Sequence, residues 1–581
     1  MTGFDTVITG GRHFDGTGGA SSVRDIGIRD GRVVAVSAEA LDTTGAEVVD
    51  ATGQWVMPGI VDIHTHYDIE VLGAPALGES LRHGVTTIMM GSCSLSTVYC
   101  SPEDAGDIFG RVEAIPRAHV LDALESEEGW SGPEEYIAAI ERRPLGPNVT
   151  AFIGHSDMRA ATMSLPRATT KSVKSSRREL VRMEQMLAEC LEAGFVGMSS
   201  QQLLFDKLDG EVCRSRTLPS TYATAHELRT LQAILRRTGR VLQSGPDIKN
   251  PASVLSQVVT SLGIGRPHLK TSLLSAADIK ANTAAVKIMG PLAKAVNRFG
   301  ADFRWQHLPV PFEVYADGIS LVIFEEFGSG AEALHLRTEL ERNVLLRDEE
   351  YRRRFRKDYE SKYGPRVWHR DFFDAEIVEC PDDSVVGKSF GQVGVDRGGL
   401  HPVDAFLDLV VEWGEKLRWR TTISNHRPEV LKELAVSPGV QMGFSDAGAH
   451  LRNMAFYNCG LRLLRHVYTS EKAGTPFMSV EHAVHRLTGE LGEWYDIDAG
   501  FLREGDRADL VVVDPERLDD TLEEYHEAPV EVYGGLERMV NRNDACVPLV
   551  MVNGHVAFRA GVADPALGVE RMGSFLRAGA R

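Results

Sequence analysis

Apolar and polar positions change rhythm along the chain. In the first fifty residues short β-prone runs (Thr6-Val7-Ile8, Ile26-Gly27-Ile28 and Arg32-Val33-Val34-Ala35-Val36) are separated by turn signals such as Arg29-Asp30-Gly31-Arg32. This pattern predicts a small antiparallel sheet. From Trp55 onward, apolar runs of strand length alternate with helical segments, the rhythm of βαβ units on a parallel sheet. The strand candidates are 56–64, 85–91, 149–154, 195–198, 240–243, 268–272, 302–306 and 440–444. Eight such strands predict an α/β fold of the TIM type, a closed (β/α)8 barrel.

One helix can be read in detail. Thr224 followed by Glu227 fits a capping box, Leu228, Leu231, Ile234 and Leu235 share a helical face, and Gly239 ends the segment. From Pro309 to His401 the alternation fails, and a charged stretch, Arg352-Arg353-Arg354-Phe355-Arg356-Lys357, gives way to Gly, Asp and Val. A bare loop of that length is improbable in a compact domain, so an inserted subdomain is expected at about 310–400. The run 421–426 reads as an extra strand with no fixed place in the barrel order. After Gly500, β-prone runs return at 508–514 and 549–554. The two chain ends, 1–55 and 500–581, are therefore expected to form one small β-sandwich beside a barrel at 56–499.

Composition narrows the function classes. The 581 residues carry 63 Lys+Arg against 82 Asp+Glu, a formal charge of −19, and 25% charged residues, which argues for a folded chain and against a nucleic-acid partner. No apolar run approaches the ~18 residues of a membrane span. The amino terminus lacks a signal pattern, so a cytoplasmic protein is expected. The seven cysteines include no CxxC pair and do not read as a disulfide framework.

Asp62-Ile63-His64-Thr65-His66 closes the first barrel run. Residues two apart in a strand face the same way, so His64 and His66 aim two imidazoles at the carboxyl end of the barrel, where the active sites of this architecture lie. An isolated HxH is commonplace; at a barrel mouth it starts a zinc or iron site. Cys93 follows the next strand at the corresponding level and reads as a further ligand. Asp446 follows the last strand and can complete the shell and carry a proton. His268 is a further candidate.

The segments Val56-Met57-Pro58-Gly59-Ile60-Val61-Asp62-Ile63-His64-Thr65-His66, Gly84-Val85-Thr86-Thr87 and Gly505-Asp506-Arg507-Ala508-Asp509-Leu510-Val511 resemble the amidohydrolase superfamily. Gly91-Ser92-Cys93, Gly154-His155-Ser156-Asp157-Met158-Arg159, His268-Leu269-Lys270 and Gly443-Phe444-Ser445-Asp446 resemble its D-aminoacylase, or N-acyl-D-amino-acid deacylase, branch. The resemblance implies metal-dependent hydrolysis of the amide of an N-acyl-D-amino acid. It also implies one metal between the HxH pair, Cys93 and Asp446, and a second using Cys93, a strand-five histidine and His268. Strand five departs from the family pattern: it reads Gln243-Ser244-Gly245-Pro246-Asp247, and Ser244 is a poor zinc ligand. One tight zinc ion is therefore expected, with the second weak or absent. A bound metal lowers the pKa of water toward ~7, Asp446 would shuttle the proton, and His155 and His268 would donate to the developing oxyanion. The substrate carboxylate calls for a cation, first Lys270, then Arg452 and Arg159. A cyclic-amide hydrolase and a metal-depleted pseudoenzyme are the alternatives, and a homo-oligomer is possible.

Overall fold

The computed structural model describes residues 3–125, 129–247, 250–361 and 366–580. Eight parallel strands form the barrel: β1 (Ile60–Asp62, resuming at His64–Thr65), β2 (Val85–Met90), β3 (Asn148–Gly154), β4 (Gly197–Gln201), β5 (Val241–Gly245), β6 (Lys270–Leu273), β7 (Asp302–Gln306) and β8 (Val440–Gln441, resuming at Phe444–Ala447). They pair in chain order. The resumed halves of β1 and β8 then close the ring: His64 stands opposite Phe444, the Ile63 amide donates to the Gly443 carbonyl at 2.8 Å, and the His66 amide donates to the Ala447 carbonyl at 2.7 Å.

The run expected at 56–64 divides at Gly59. Trp55–Pro58 leaves the barrel and pairs antiparallel with Leu510–Val513, whereas Ile60–Asp62 enters it. A Cβ on Gly59 would lie 1.9 Å from Thr86 Oγ1, so the chain can pass between the two sheets only without a side chain there. Strands from both chain ends share one nine-stranded sheet, in which Thr6–His13 and Trp55–Pro58 lie next to Leu510–Val513 and Leu549–Val552. Ile8, Ile26, Val56, Leu510, Val512 and Met551 form its buried cluster.

Between β7 and β8 the chain builds a unit with its own core. Its three-stranded antiparallel sheet places Arg418–Ser424 between Phe312–Asp317 and Glu376–Glu379. The strand expected at 421–426 therefore belongs to this sheet rather than to the barrel. Phe324, Phe372, Phe390, Phe406 and Trp419 are fully buried there, with the Phe372 and Phe406 rings stacked at 4.6 Å. The arginine-rich stretch is the solvated side of helix Glu349–Glu360, which turns Tyr351 and Phe355 into this core.

Helix Ala225–Thr238 starts at Thr224, whose hydroxyl accepts the Glu227 amide at 3.1 Å, and stops at Gly239 with φ +69°. Only half of the expected capping box forms. The Glu227 carboxylate turns inward to His155 and Arg159 instead of back to its cap. Among the described residues no helix is long and apolar enough to cross a membrane.

Candidate metal centre

Four donors meet at the carboxyl end of the barrel where β1 and β8 close. His64, His66 and Cys93 each offer a ligand atom, all within 4.8 Å of one another. His64 Nε2 is 3.2 Å from Cys93 Sγ and 3.5 Å from Asp446 Oδ1, and His66 Nε2 is 3.1 Å from the same oxygen. Bonds of ~2.0–2.3 Å in a tetrahedron place ligands about 3.3–3.8 Å apart, so two imidazoles, a thiol and a carboxylate at these separations fit zinc in both spacing and donor chemistry. The backbone is strained to bring them together: Cys93 (φ +35°) and Asp446 (φ +59°) both occupy the left-handed region. Close approach also requires glycine nearby, since a Cβ on Gly91 would lie 2.1 Å from the Phe152 carbonyl oxygen.

The imidazoles are held from behind. His64 Nδ1 lies 2.6 Å from Gln306 Oε1, which assigns the proton to Nδ1 and leaves Nε2 free to ligate. Gln306 is fixed in turn by donating to Ser272 Oγ at 2.9 Å. Behind His66, Glu113 Oε1 is 3.3 Å from Nδ1. Gln243 places Cys93 by accepting its backbone amide at 2.9 Å and donating to Ser92 Oγ at 3.2 Å.

Burial dominates the electrostatics. It pushes the Cys93 thiol up to about 12, so a thiolate forms there only beside a cation. It pushes Glu113 up to about 8 against the pull of His66, and lowers His64 to about 4. Asp446 behaves differently. Burial opposes its charge, but the hydrogen bond to His66 and the charges of His66, His64 and His450 hold it well below the usual carboxylate range.

The centre opens into a chamber of about 330 Å³ whose lining includes His66, Cys93, Glu113, Asp446 and His450. Most of the remaining wall is apolar, contributed by the barrel (Trp305, Met289) and by the inserted unit (Phe312, Leu321, Ile423).

Several residues singled out in the sequence stand elsewhere. His268 is exposed and precedes β6, because that strand begins at Lys270; it lies at the amino end of the barrel, opposite the centre. Lys270 shares that end, where its Nζ donates to the Trp494 carbonyl at 3.0 Å. His155 is fully buried away from the chamber, between Ser200 Oγ at 3.1 Å and Glu227 Oε1 at 2.9 Å. Arg159 pairs with the same Glu227. Arg452 is held by Asp317 at 2.9 Å and Glu527 at 2.7 Å. Of the second-metal ligands that the resemblance implies, only Cys93 is at the centre. Ser244 is buried with its hydroxyl unpaired, and Gln243 is engaged as described. Sequence reasoning missed Glu113, Gln306 and His450. Gln306 ends a barrel strand and could have been found by its level; nothing in the pattern around Glu113 marks it.

No family model matches the chain. An uncharacterised protein of Mycobacterium tuberculosis (strain H37Rv) is 56% identical over 564 residues, covering 96% of this chain and 92% of its own. The N-acyl-D-glutamate deacylase of Alcaligenes xylosoxydans xylosoxydans is 33% identical over 201 residues, covering 34% of this chain and 37% of its own. Among solved structures, the N-acyl-D-glutamate deacylase of Bordetella bronchiseptica, complexed with zinc and a phosphonate inhibitor, superposes with a TM-score of 0.63 at 22% identity, covering 99% of this chain and 100% of that one. The chain therefore belongs to one family with the mycobacterial protein, and in its closed barrel and shared terminal sheet it has the fold of the N-acyl-D-glutamate deacylase and resembles the D-aminoacylases of the amidohydrolase superfamily.

Proposed function

We propose that this protein hydrolyses the amide bond of N-acyl-D-amino acids, using one zinc ion held by His64, His66, Cys93 and Asp446. The observation that carries this reading is the convergence of two imidazoles, a thiol and an ionised carboxylate at the floor of a chamber. The D-amino-acid part rests on the names of the deacylase relatives. Bound zinc would polarise the amide carbonyl and make hydroxide available at neutral pH. Asp446, kept ionised by its histidine neighbours, takes the proton of the attacking water and returns it to the leaving nitrogen as the C–N bond breaks, giving a carboxylic acid and an amine. His450, which lines the chamber beside Asp446, takes the place at the carbonyl that sequence reasoning gave to His155 and His268. Gln306 and Glu113 keep both ligating nitrogens aimed inward.

The test is a panel of N-acyl-D- and N-acyl-L-amino acids offered to metal-analysed protein and to Asp446→Asn. D-substrate turnover that saturates at about one zinc per chain, and falls by ~10²–10⁴ in the variant, is expected. Zinc-loaded protein that cleaves no N-acyl amide would overturn the reading; activity rising only with a second equivalent would overturn the single ion.

A further inference from the structure

The chamber is mainly apolar, yet it adjoins a recess of opposite character. Phe205, Leu321, Val322, His450 and Asn453 line both. Beyond that shared edge the recess presents Arg111, Lys207, Arg214, Arg337 and Arg342 against only Asp209 and Glu325, a basic concentration in a protein of formal charge −19. Three of these arginines already have acidic partners: Arg111 with Glu325, Arg214 with Asp209 and Arg337 with Glu211. Arg342, on helix Glu339–Arg347 of the inserted unit, has no carboxylate partner among the described residues. Its Nη1 reaches only the Ser320 hydroxyl, at 3.4 Å, and its Nε is buried without a hydrogen bond.

A molecule whose scissile carbonyl sits at the metal centre would therefore meet two environments, an apolar space on one side and an uncommitted guanidinium on the other. A volume of about 330 Å³ falls within the ~300–1,000 Å³ of sites that hold drug-sized ligands, and exceeds the needs of an acetyl group. We propose that the substrate is an N-acyl-D-amino acid with a long acyl chain. The chain lies in the apolar chamber between barrel and insert, and the carboxylate lies against Arg342 in the basic recess. This rests on the deacylase reading above and adds what it leaves open, the acyl group and the cation. Guanidinium suits a carboxylate because its planar donors match the two oxygens.

The test compares N-dodecanoyl-D-alanine, N-acetyl-D-alanine and N-methyldodecanamide. Dissociation constants are measured on zinc-loaded Asp446→Asn protein, and kcat/KM on the unaltered enzyme. Each sheltered methylene multiplies affinity by roughly four, so the dodecanoyl compound should bind at least ~100-fold more tightly than the acetyl compound and be cleaved preferentially. Adding Arg342→Ala should weaken the dodecanoyl amino acid by about tenfold and leave N-methyldodecanamide unchanged. Ile423→Trp, which fills the chamber, should erase most of the chain-length preference; Met289→Trp on the opposite wall is the second variant should the first not fold. Equal or tighter binding of the acetyl compound overturns the chain placement, and an Arg342→Ala loss shared by the neutral amide overturns the carboxylate contact. Because binding is read without turnover, a protein that binds as expected yet cleaves nothing would sink the deacylase reading while leaving the two-compartment site standing.

Discussion

Gln306 is none of the four candidate ligands, yet it fixes which nitrogen of His64 is free to bind an ion. Its Oε1 holds Nδ1 at 2.6 Å, and without it the ring can rotate or change tautomer. Gln306→Leu should therefore lower zinc affinity by about 10–100-fold while the barrel remains folded. Competition with a chromogenic chelator measures the affinity, and circular dichroism checks the fold. Unchanged affinity would mean that the strained backbone at Cys93 and Asp446 alone sets the geometry.

At the scale of single elements, helix Ala225–Thr238 gives up half of its cap to bury a charge cluster. Glu227, 0% exposed, would be pushed up by burial, but the hydrogen bond from His155 and the charges of His155 and Arg159 hold it down to about 2. Its unfolded value is about 4.3, so the folded pKa is depressed. The stabilisation is present above the unfolded value and is lost as pH falls through 4 toward 2. Glu227→Gln leaves Arg159 without its buried counter-charge and should cost about 3–5 kcal/mol at pH 7. Urea unfolding of both proteins at pH 7 and pH 3 should show this gap narrowing at the lower pH; a pH-independent gap would assign the loss to packing.

Elements also show where sequence reading reaches its limit. His64 and His66 were legible because strand periodicity fixes the face, and the strand end fixes the level. His268 was misplaced because it opens the run expected at 268–272, and the first residue of a barrel strand stands at the amino end, away from the mouth where His64 and His66 lie. The strand starts later still, at Lys270, so His268 precedes it altogether; the resemblance of His268-Leu269-Lys270 to the deacylases carried a residue type to the wrong end of the strand. The insert was legible as a break in rhythm. Its contribution to the chamber wall was not, because that depends on Phe312, Leu321 and Ile423 meeting Met289 and Trp305 across the fold.

For the molecule as a whole, the closure of the barrel has a mechanical consequence. The seam between β1 and β8 rests on short paired stretches, His64–Thr65 against Phe444–Ala447, and the residues flanking it are the candidate ligands. An ion there would act as a rivet, joining segments that lie far apart in the chain and closing the longest loop of the barrel. Because it would bind the closed ring and not the open one, stability rises with free metal, by about 4 kcal/mol at a thousandfold excess over Kd. Opening would then begin at this seam when the ion is withdrawn. Hydrogen exchange of the Ile63 and His66 amides should accelerate sharply on chelation, whereas exchange in β3 and β4 should change little. Uniform acceleration around the ring would show that the barrel opens as one cooperative unit and that its seam is no weaker than the rest.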